Sequence, residues 1–307
     1  MALVKTKEIL ENANREGYAV GAFNISNMES LQAIIEGACE MHAPVIVEVS
    51  ESASKYMGIE LAASMVKTIA NSAPVPVALH LDHGRKLEVI TKAILAGFGS
   101  VMIDASDRPY EENRALTSEV VALARKAGVA VEAELGRLPG AEDDISASER
   151  EAFLVDPDEA QAFVEHTGID FLAPAIGTAH GAFKFKGESK LDLERLRKVK
   201  EKIRIPLVLH GASSVKKQLL DAASEQGLEL EGAKGLDDEV LRQAVSGGIN
   251  KVNTDTDLRI AFTTAVRKVL RDTPAVFDPR KILGPAREYM KDVVRERIAV
   301  LGSENKA

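Results

Sequence analysis

Eight times along this chain a short apolar run, rich in β-branched residues, is followed by a polar turn and then by a longer stretch of helical periodicity. The runs are Tyr18–Asn24, Pro44–Ser50, Pro76–His83, Ser100–Ser106, Ala130–Gly136, Phe171–Gly177, Pro206–Ser213 and Lys251–Thr256. Strands that alternate with helices pair in parallel, because the helix carries the chain back across the sheet. Helices on both faces bury such strands twice over, which explains runs that are apolar throughout. Eight units predict a closed (β/α)8 TIM barrel, with a doubly wound open sheet as the competing topology. The 307 residues hold no linker and no low-complexity stretch, so 1–307 reads as one barrel domain.

Local signals mark the helices. Ser26-Asn27-Met28-Glu29 reads as a capping box, with Ser26 taking a free N–H and Glu29 reaching back. Asp156-Pro157 followed by Glu159 opens another helix, and Gly168 closes it. Two stretches break the rhythm, Arg137–Val155 after the fifth strand and Ala212–Gly235 after the seventh. Long connections in a compact domain are commonly lids or binding loops. Pro274–Ala307 adds an extra C-terminal helical segment.

The formal net charge of −8 argues against nucleic acid or an anionic membrane as partner. An anionic substrate would therefore need a local positive site. The single cysteine, Cys39, cannot close an internal disulfide and falls on a helical apolar pattern, as a small buried residue would. No apolar run is long enough for a signal peptide or a membrane span, so a cytoplasmic protein is expected.

In a barrel of this kind the reacting groups sit where strands end, at the C-terminal rim. Three of the six histidines, His83, His180 and His210, end separate strands there. Three converging imidazoles with one open position are what a catalytic zinc ion requires; a hydrogen bond at each strand end is the plainer alternative. His42 and His166 fall at helix ends and read as surface residues, while His80 shares a strand face with Asp82. Asp82, Asp104 and Glu134 are carboxylates at buried positions and need cations or donors nearby. A structural salt bridge is the alternative for each, above all for Glu132, which is read as facing away from Glu134. Gly181, the run Gly211-Ala212-Ser213 and the run Asn253-Thr254-Asp255-Thr256 offer amides and hydroxyls where barrels often hold phosphate. Lys184, Arg259 and Arg280 could add charge, with solvated surface cations as the alternative.

At these residues the chain resembles the class II, zinc-dependent fructose-bisphosphate aldolases. The matching segments include Gly21-Ala22-Phe23-Asn24, His80-Leu81-Asp82-His83-Gly84, Val131-Glu132-Ala133-Glu134-Leu135-Gly136, Gly177-Thr178-Ala179-His180-Gly181, His210-Gly211 and Asn253-Thr254-Asp255-Thr256, in order and nearly end to end. The resemblance implies reversible aldol cleavage of fructose 1,6-bisphosphate to dihydroxyacetone phosphate and glyceraldehyde 3-phosphate, through a zinc-stabilised enediolate. It implies that His83, His180 and His210 hold Zn2+, and that Asp104 and Glu134 offer an alternative position for a second divalent ion. Asp82 would move the proton at the C4 oxygen, and Glu142 in the acidic loop the proton at C3. Gly181, Gly211 to Ser213 and Asn253 to Thr256 match the site for dihydroxyacetone phosphate, Ser50 that for glyceraldehyde 3-phosphate, and Arg280 an arginine that reaches the far phosphate. Relatives are homodimers or homotetramers and often bind a monovalent cation, Na+ or K+.

The chain departs from that pattern at Asp107-Arg108-Pro109, where many relatives carry histidine, and at Arg85-Lys86, where small hydroxyl residues are usual. Tagatose-bisphosphate aldolase, which differs in stereochemistry at C4, is the nearest alternative reading. A metal-dependent barrel hydrolase and a non-catalytic phosphosugar-binding protein lie further off. A Schiff-base aldolase needs a desolvated lysine on a barrel strand. Lys251 is read as opening the eighth strand and Lys184 as a loop residue, which disfavours it.

Overall fold

The computed structural model describes residues 3–136, 153–178, 191–230 and 232–307. All eight strands are present: Val20–Asn24 (β1), Val45–Ser50 (β2), Val77–Gly84 (β3), Ser100–Ile103 (β4), Ala130–Leu135 (β5), Phe171–Pro174 (β6), Leu207–Leu209 (β7) and Ile249–Thr254 (β8). Each pairs in parallel with the next, and β8 pairs with β1, so the sheet closes into a barrel. The open-sheet topology is thereby excluded.

The two faces of each strand separate by the period of two. Val45, Val47, Val49, Leu79, Leu81, Val101, Val131, Ala133 and Leu135 point outward into the large core shared with the helices. The alternate residues point into the barrel. At its bottom they are apolar, with Val20, Ile46, Ala78, Ala130, Phe171 and Val208 packed under Ile9, Leu10 and Ala13 of the N-terminal helix Thr6–Glu16. Moving up each strand by two residues replaces apolar side chains with ionisable ones: Ile46 gives way to Glu48, Ala78 to His80 and then Asp82, Ala130 to Glu132 and then Glu134. Register keeps these layers level, for Glu48 sits opposite His80 and Ser50 opposite Asp82.

Several local expectations shift. The capping box of helix Met28–Glu40 is built by Asn27 and Ser30, one residue later than the predicted Ser26 and Glu29. Asn27 accepts from the Ser30 amide, and Ser30 Oγ accepts from the Asn27 amide. A serine at the third helical position does the work expected of Glu29. Asp156 caps helix Pro157–Thr167 as predicted, and Gly168 ends it at φ 66°. The stretch Ala212–Gly235 is not all loop, because it contains helix Lys217–Ser224. Cys39 is only partly buried. The C-terminal segment forms helix Pro279–Leu301, and beyond it the amides of Asn305 and Ala307 donate to the carbonyls of Met41 and His42.

Candidate active site

Among the described residues, the upper end of the barrel gathers two imidazoles and four carboxylates. His83 lies at the end of β3 with φ 47°, a left-handed backbone that non-glycine residues seldom adopt. The register between β3 and β4 slips there, between Leu81 and Gly84. Strain of this sort persists only where surrounding structure over-determines it. Here it turns the His83 ring to within 4.7 Å of the His210 ring, centroid to centroid. His83 Nδ1 stands 3.0 Å from Asp104 Oδ2, and its Nε2 stands 3.8 Å from Asp82 Oδ1.

His210, just past β7, is bracketed by two carboxylates of β5, with Nδ1 2.9 Å from Glu134 Oε2 and Nε2 2.8 Å from Glu132 Oε1. Glu132 thus shares a face with Glu134, contrary to the sequence reading. Residues two apart on a strand point the same way.

Asp82 is held by two side-chain amides: Asn24 Nδ2 donates to Oδ2 at 2.8 Å and Asn253 Nδ2 to Oδ1 at 3.0 Å. Asp104 accepts from Ser106 Oγ at 2.8 Å and from Arg85 Nη2 at 3.1 Å, so the unusual Arg85 reaches a candidate metal residue.

Electrostatics follow from that crowding. Burial opposes ionisation of Asp82, but His83, His210 and Lys251 outweigh it and hold the carboxyl below its usual value. Burial likewise opposes the charge on His210, yet Glu132 and Glu134 push its pKa up to about 10. Burial pulls His83 down, and the charge of Asp82 and the bond to Asp104 reverse this to a net rise. Carboxylates that force a proton onto an imidazole are an environment that seeks a cation. Nitrogen and oxygen donors suit a divalent ion such as zinc. Ligand atoms of Asp82, His83 and His210 lie within 4.8 Å of one another, as do those of His83, Asp104 and Glu134. On donor type and spacing, these residues fit a metal centre.

One layer down lies an assembly that sequence reading missed. Lys251 is the third residue of β8 rather than its opening, and its side chain is wholly buried inside the barrel. Its Nζ stands 2.7 Å from Glu48 Oε1 and 2.8 Å from Glu132 Oε2. His80 bonds Ser100 Oγ through Nδ1 at 2.7 Å, and Ser100 donates to Thr6 Oγ1 on the N-terminal helix. Counting in twos down β2 from Ser50 and down β8 from Asn253 would have revealed Glu48 and Lys251. Asn24, likewise, lies inside a matching segment but was given no task.

The remaining predicted residues separate. Ser213 and Asn253 are buried and Ala212 and Thr254 wholly so, with Gly211 beside them at φ 60°. Among the described residues, the buried Asn253 Oδ1 and Thr254 Oγ1 have no hydrogen-bond partner. Thr256 opens helix Thr256–Asp272, with Asp255 as its N-cap. Ser50 caps helix Glu51–Met57 through Oγ, beside Asp82 in register. Arg259 pairs with Asp255 and Arg280 with Asp278, both at exposed positions. His42 and His166 are exposed, as expected. Glu142, His180, Gly181 and Lys184 lie outside the described residues.

Comparison with known proteins agrees with this geometry. The profile of the family described as "Fructose-bisphosphate aldolase class-II" matches residues 4–306. A fructose-bisphosphate aldolase of Helicobacter pylori is 56% identical over 305 residues, which is 99% of this chain and 99% of that protein. One from Thermus caldophilus is 50% identical over 305 residues, 99% of this chain and 100% of that one. Among solved structures, the YdjI aldolase of Escherichia coli K12 superposes with a TM-score of 0.82 at 34% identity, over 99% of each chain. With the profile spanning almost every residue and relatives above half identity end to end, the chain belongs to the class II fructose-bisphosphate aldolase family.

Proposed function

We propose that this chain, acting as one catalytic barrel over 1–307, cleaves fructose 1,6-bisphosphate reversibly between C3 and C4, giving dihydroxyacetone phosphate and glyceraldehyde 3-phosphate. The observation that carries the reading is a carboxylate, Asp82, fixed by two amides directly beside the His83 and His210 pair. His83 and His210, with His180 assigned by resemblance, would hold Zn2+, and Asp104 and Glu134 would offer an alternative divalent position. When bound, the ion supplies Lewis-acid polarisation of the substrate carbonyl, worth several kcal/mol.

The protein's own groups do the rest. Asp82 takes the proton of the C4 hydroxyl while the C3–C4 electron pair stays with the three-carbon ketone fragment, and the aldehyde departs. Asn24 and Asn253 occupy both carboxylate oxygens from the flanks, which aims Asp82, while His83, His210 and Lys251 keep it ionised. Gly211 to Ser213 and Asn253 to Thr256 would receive the ketone's phosphate through amides and hydroxyls, a local site that the overall charge of −8 does not provide. Ser50 would lie toward the aldehyde fragment and Arg280 would serve its phosphate. Gly181, Lys184 and the C3 proton carrier Glu142 take their roles from the resemblance.

A Schiff-base route is opposed by Lys251. Two buried carboxylates hold its amine charged, with the pKa raised further, whereas a nucleophile must be neutral.

The same reading makes the chain a cytoplasmic homodimer or homotetramer with a monovalent cation, Na+ or K+. Among the described residues no helix is long and apolar enough to cross a membrane.

Metal analysis coupled to cleavage assays on fructose and tagatose 1,6-bisphosphates tests the proposal. Chelation should abolish turnover and zinc should restore it, with fructose bisphosphate the better substrate. Full activity after thorough stripping would defeat the metal, and preference for tagatose bisphosphate would reassign the sugar.

A further inference from the structure

The buried layer beneath the rim has a division of labour that the cleavage chemistry leaves unexplained. Glu132 spends its two oxygens on different partners: Oε2 accepts from Lys251 Nζ at 2.8 Å, and Oε1 meets His210 Nε2 at 2.8 Å. The other nitrogen of His210, Nδ1, faces Glu134, which belongs with His83 and Asp104 to a group able to hold a metal ion. Lys251 and Glu132 are wholly buried, so bulk solvent does not reach either partner. Lys251 Nζ also stands 2.7 Å from Glu48 Oε1, level with His80 inside the barrel, where burial outweighs the lysine and pushes the Glu48 carboxyl up to about 8.

A ligating imidazole needs one nitrogen bare and the other held, and its outer partner sets which is which. A carboxylate free to rotate could bond either nitrogen or turn away. One pinned at its far oxygen by an ammonium group cannot. We propose that Lys251 is a positioning residue: by holding Oε2 of Glu132 it fixes Oε1 against His210 Nε2, leaving Nδ1 as the nitrogen presented on the side of Glu134, Asp104 and His83. A lysine that only balanced buried charge would have no effect on which nitrogen of His210 is presented. This inference rests on the metal reading proposed above, and its test separates the two.

The probe is Co2+ added to the stripped full-length protein, followed by its visible absorption. Lys251→Met alone removes the ammonium partner shared by buried Glu48 and Glu132 and endangers folding. The working variant is therefore Lys251→Met with Glu48→Gln, compared with Glu132→Gln, which leaves the Lys251–Glu48 pair intact. Each should bind Co2+ about 10- to 100-fold more weakly than the unsubstituted protein, with an altered absorption band. Each should also lose kcat while KM for the bisphosphate stays within about twofold. Because both act on one bond, adding Lys251→Met and Glu48→Gln to Glu132→Gln should weaken Co2+ no further. Native affinity and spectrum in the Lys251→Met, Glu48→Gln protein would overturn the proposal, and so would additive losses. Failure of the unsubstituted protein to bind Co2+ at all would remove the metal reading and this inference with it.

Discussion

Replacing Asp82 by asparagine keeps the shape of the side chain and removes its basicity, so it isolates the proton transfer. Two amide donors converge on the carboxylate, Asn24 at 2.8 Å and Asn253 at 3.0 Å, one on each oxygen. An asparagine offers one acceptor oxygen, so one of these two donors, part-buried Asn24 or buried Asn253, would face another NH2 group. The orphaned donor should cost about 1–3 kcal/mol of stability, or a few degrees in melting temperature. The catalytic loss should be larger. A positioned general base is worth roughly 10²- to 10⁴-fold, which corresponds to about 3–5 kcal/mol in the barrier. The assay is steady-state cleavage of fructose 1,6-bisphosphate, with metal content measured on the same samples and melting followed in parallel. A kcat within tenfold of the unsubstituted protein at equal metal occupancy would refute the assignment. A loss that vanished on normalising for bound metal would do the same, because Asp82 would then matter only through its neighbour His83.

Gly235 has no room for a methyl group, since a Cβ there would overlap the carbonyl of Ser213 and the backbone of Ser214. Gly235→Ala should destabilise by about 1–3 kcal/mol and raise KM for the bisphosphate more than it lowers kcat; an unchanged KM would detach this contact from the phosphate loop. Lys200 lies among three neutral acceptors, Asn14 Oδ1, Asn250 Oδ1 and the Ile205 carbonyl, and burial brings its pKa down to about 8 from 10.5. The folded state then binds fewer protons than the unfolded chain between those values, so a penalty present below pH 8 is relieved as pH rises toward 10.5. The gain is at most about 3 kcal/mol, and less once solvent screening is counted. Denaturant titrations at neutral and alkaline pH should show that rise, and Lys200→Met should flatten it.

Much of the fold was legible because it is written in local chemistry. The eight apolar runs reappear as eight strands, shortened mostly at their ends, because twofold burial demands β-branched and apolar residues whatever the rest of the chain does. Asp156 and Gly168 needed only their immediate neighbours to be read as caps. The capping box at Asn27 was less accurately read, since Ser and Asn compete for the same backbone groups within a few residues, and helix Lys217–Ser224 carries no side-chain cap at Lys216 to announce it. The histidines and carboxylates of the rim were legible in kind, as polar residues at strand ends.

Who touches whom was not. Glu132 reads in sequence as one more charged residue; in the barrel it bridges Lys251 and His210, which lie 119 and 78 positions away along the chain. Barrel closure brings β2, β5 and β8 to face one another across a single interior, and strand register puts their charged residues at one height. By itself, the order of residues determined that strands would alternate with helices, and which side chains could serve as ligand, base or counter-charge. The tertiary structure alone decided their pairing and their protonation, because burial strips away water and makes each charge depend on whichever partner the closed sheet sets within reach.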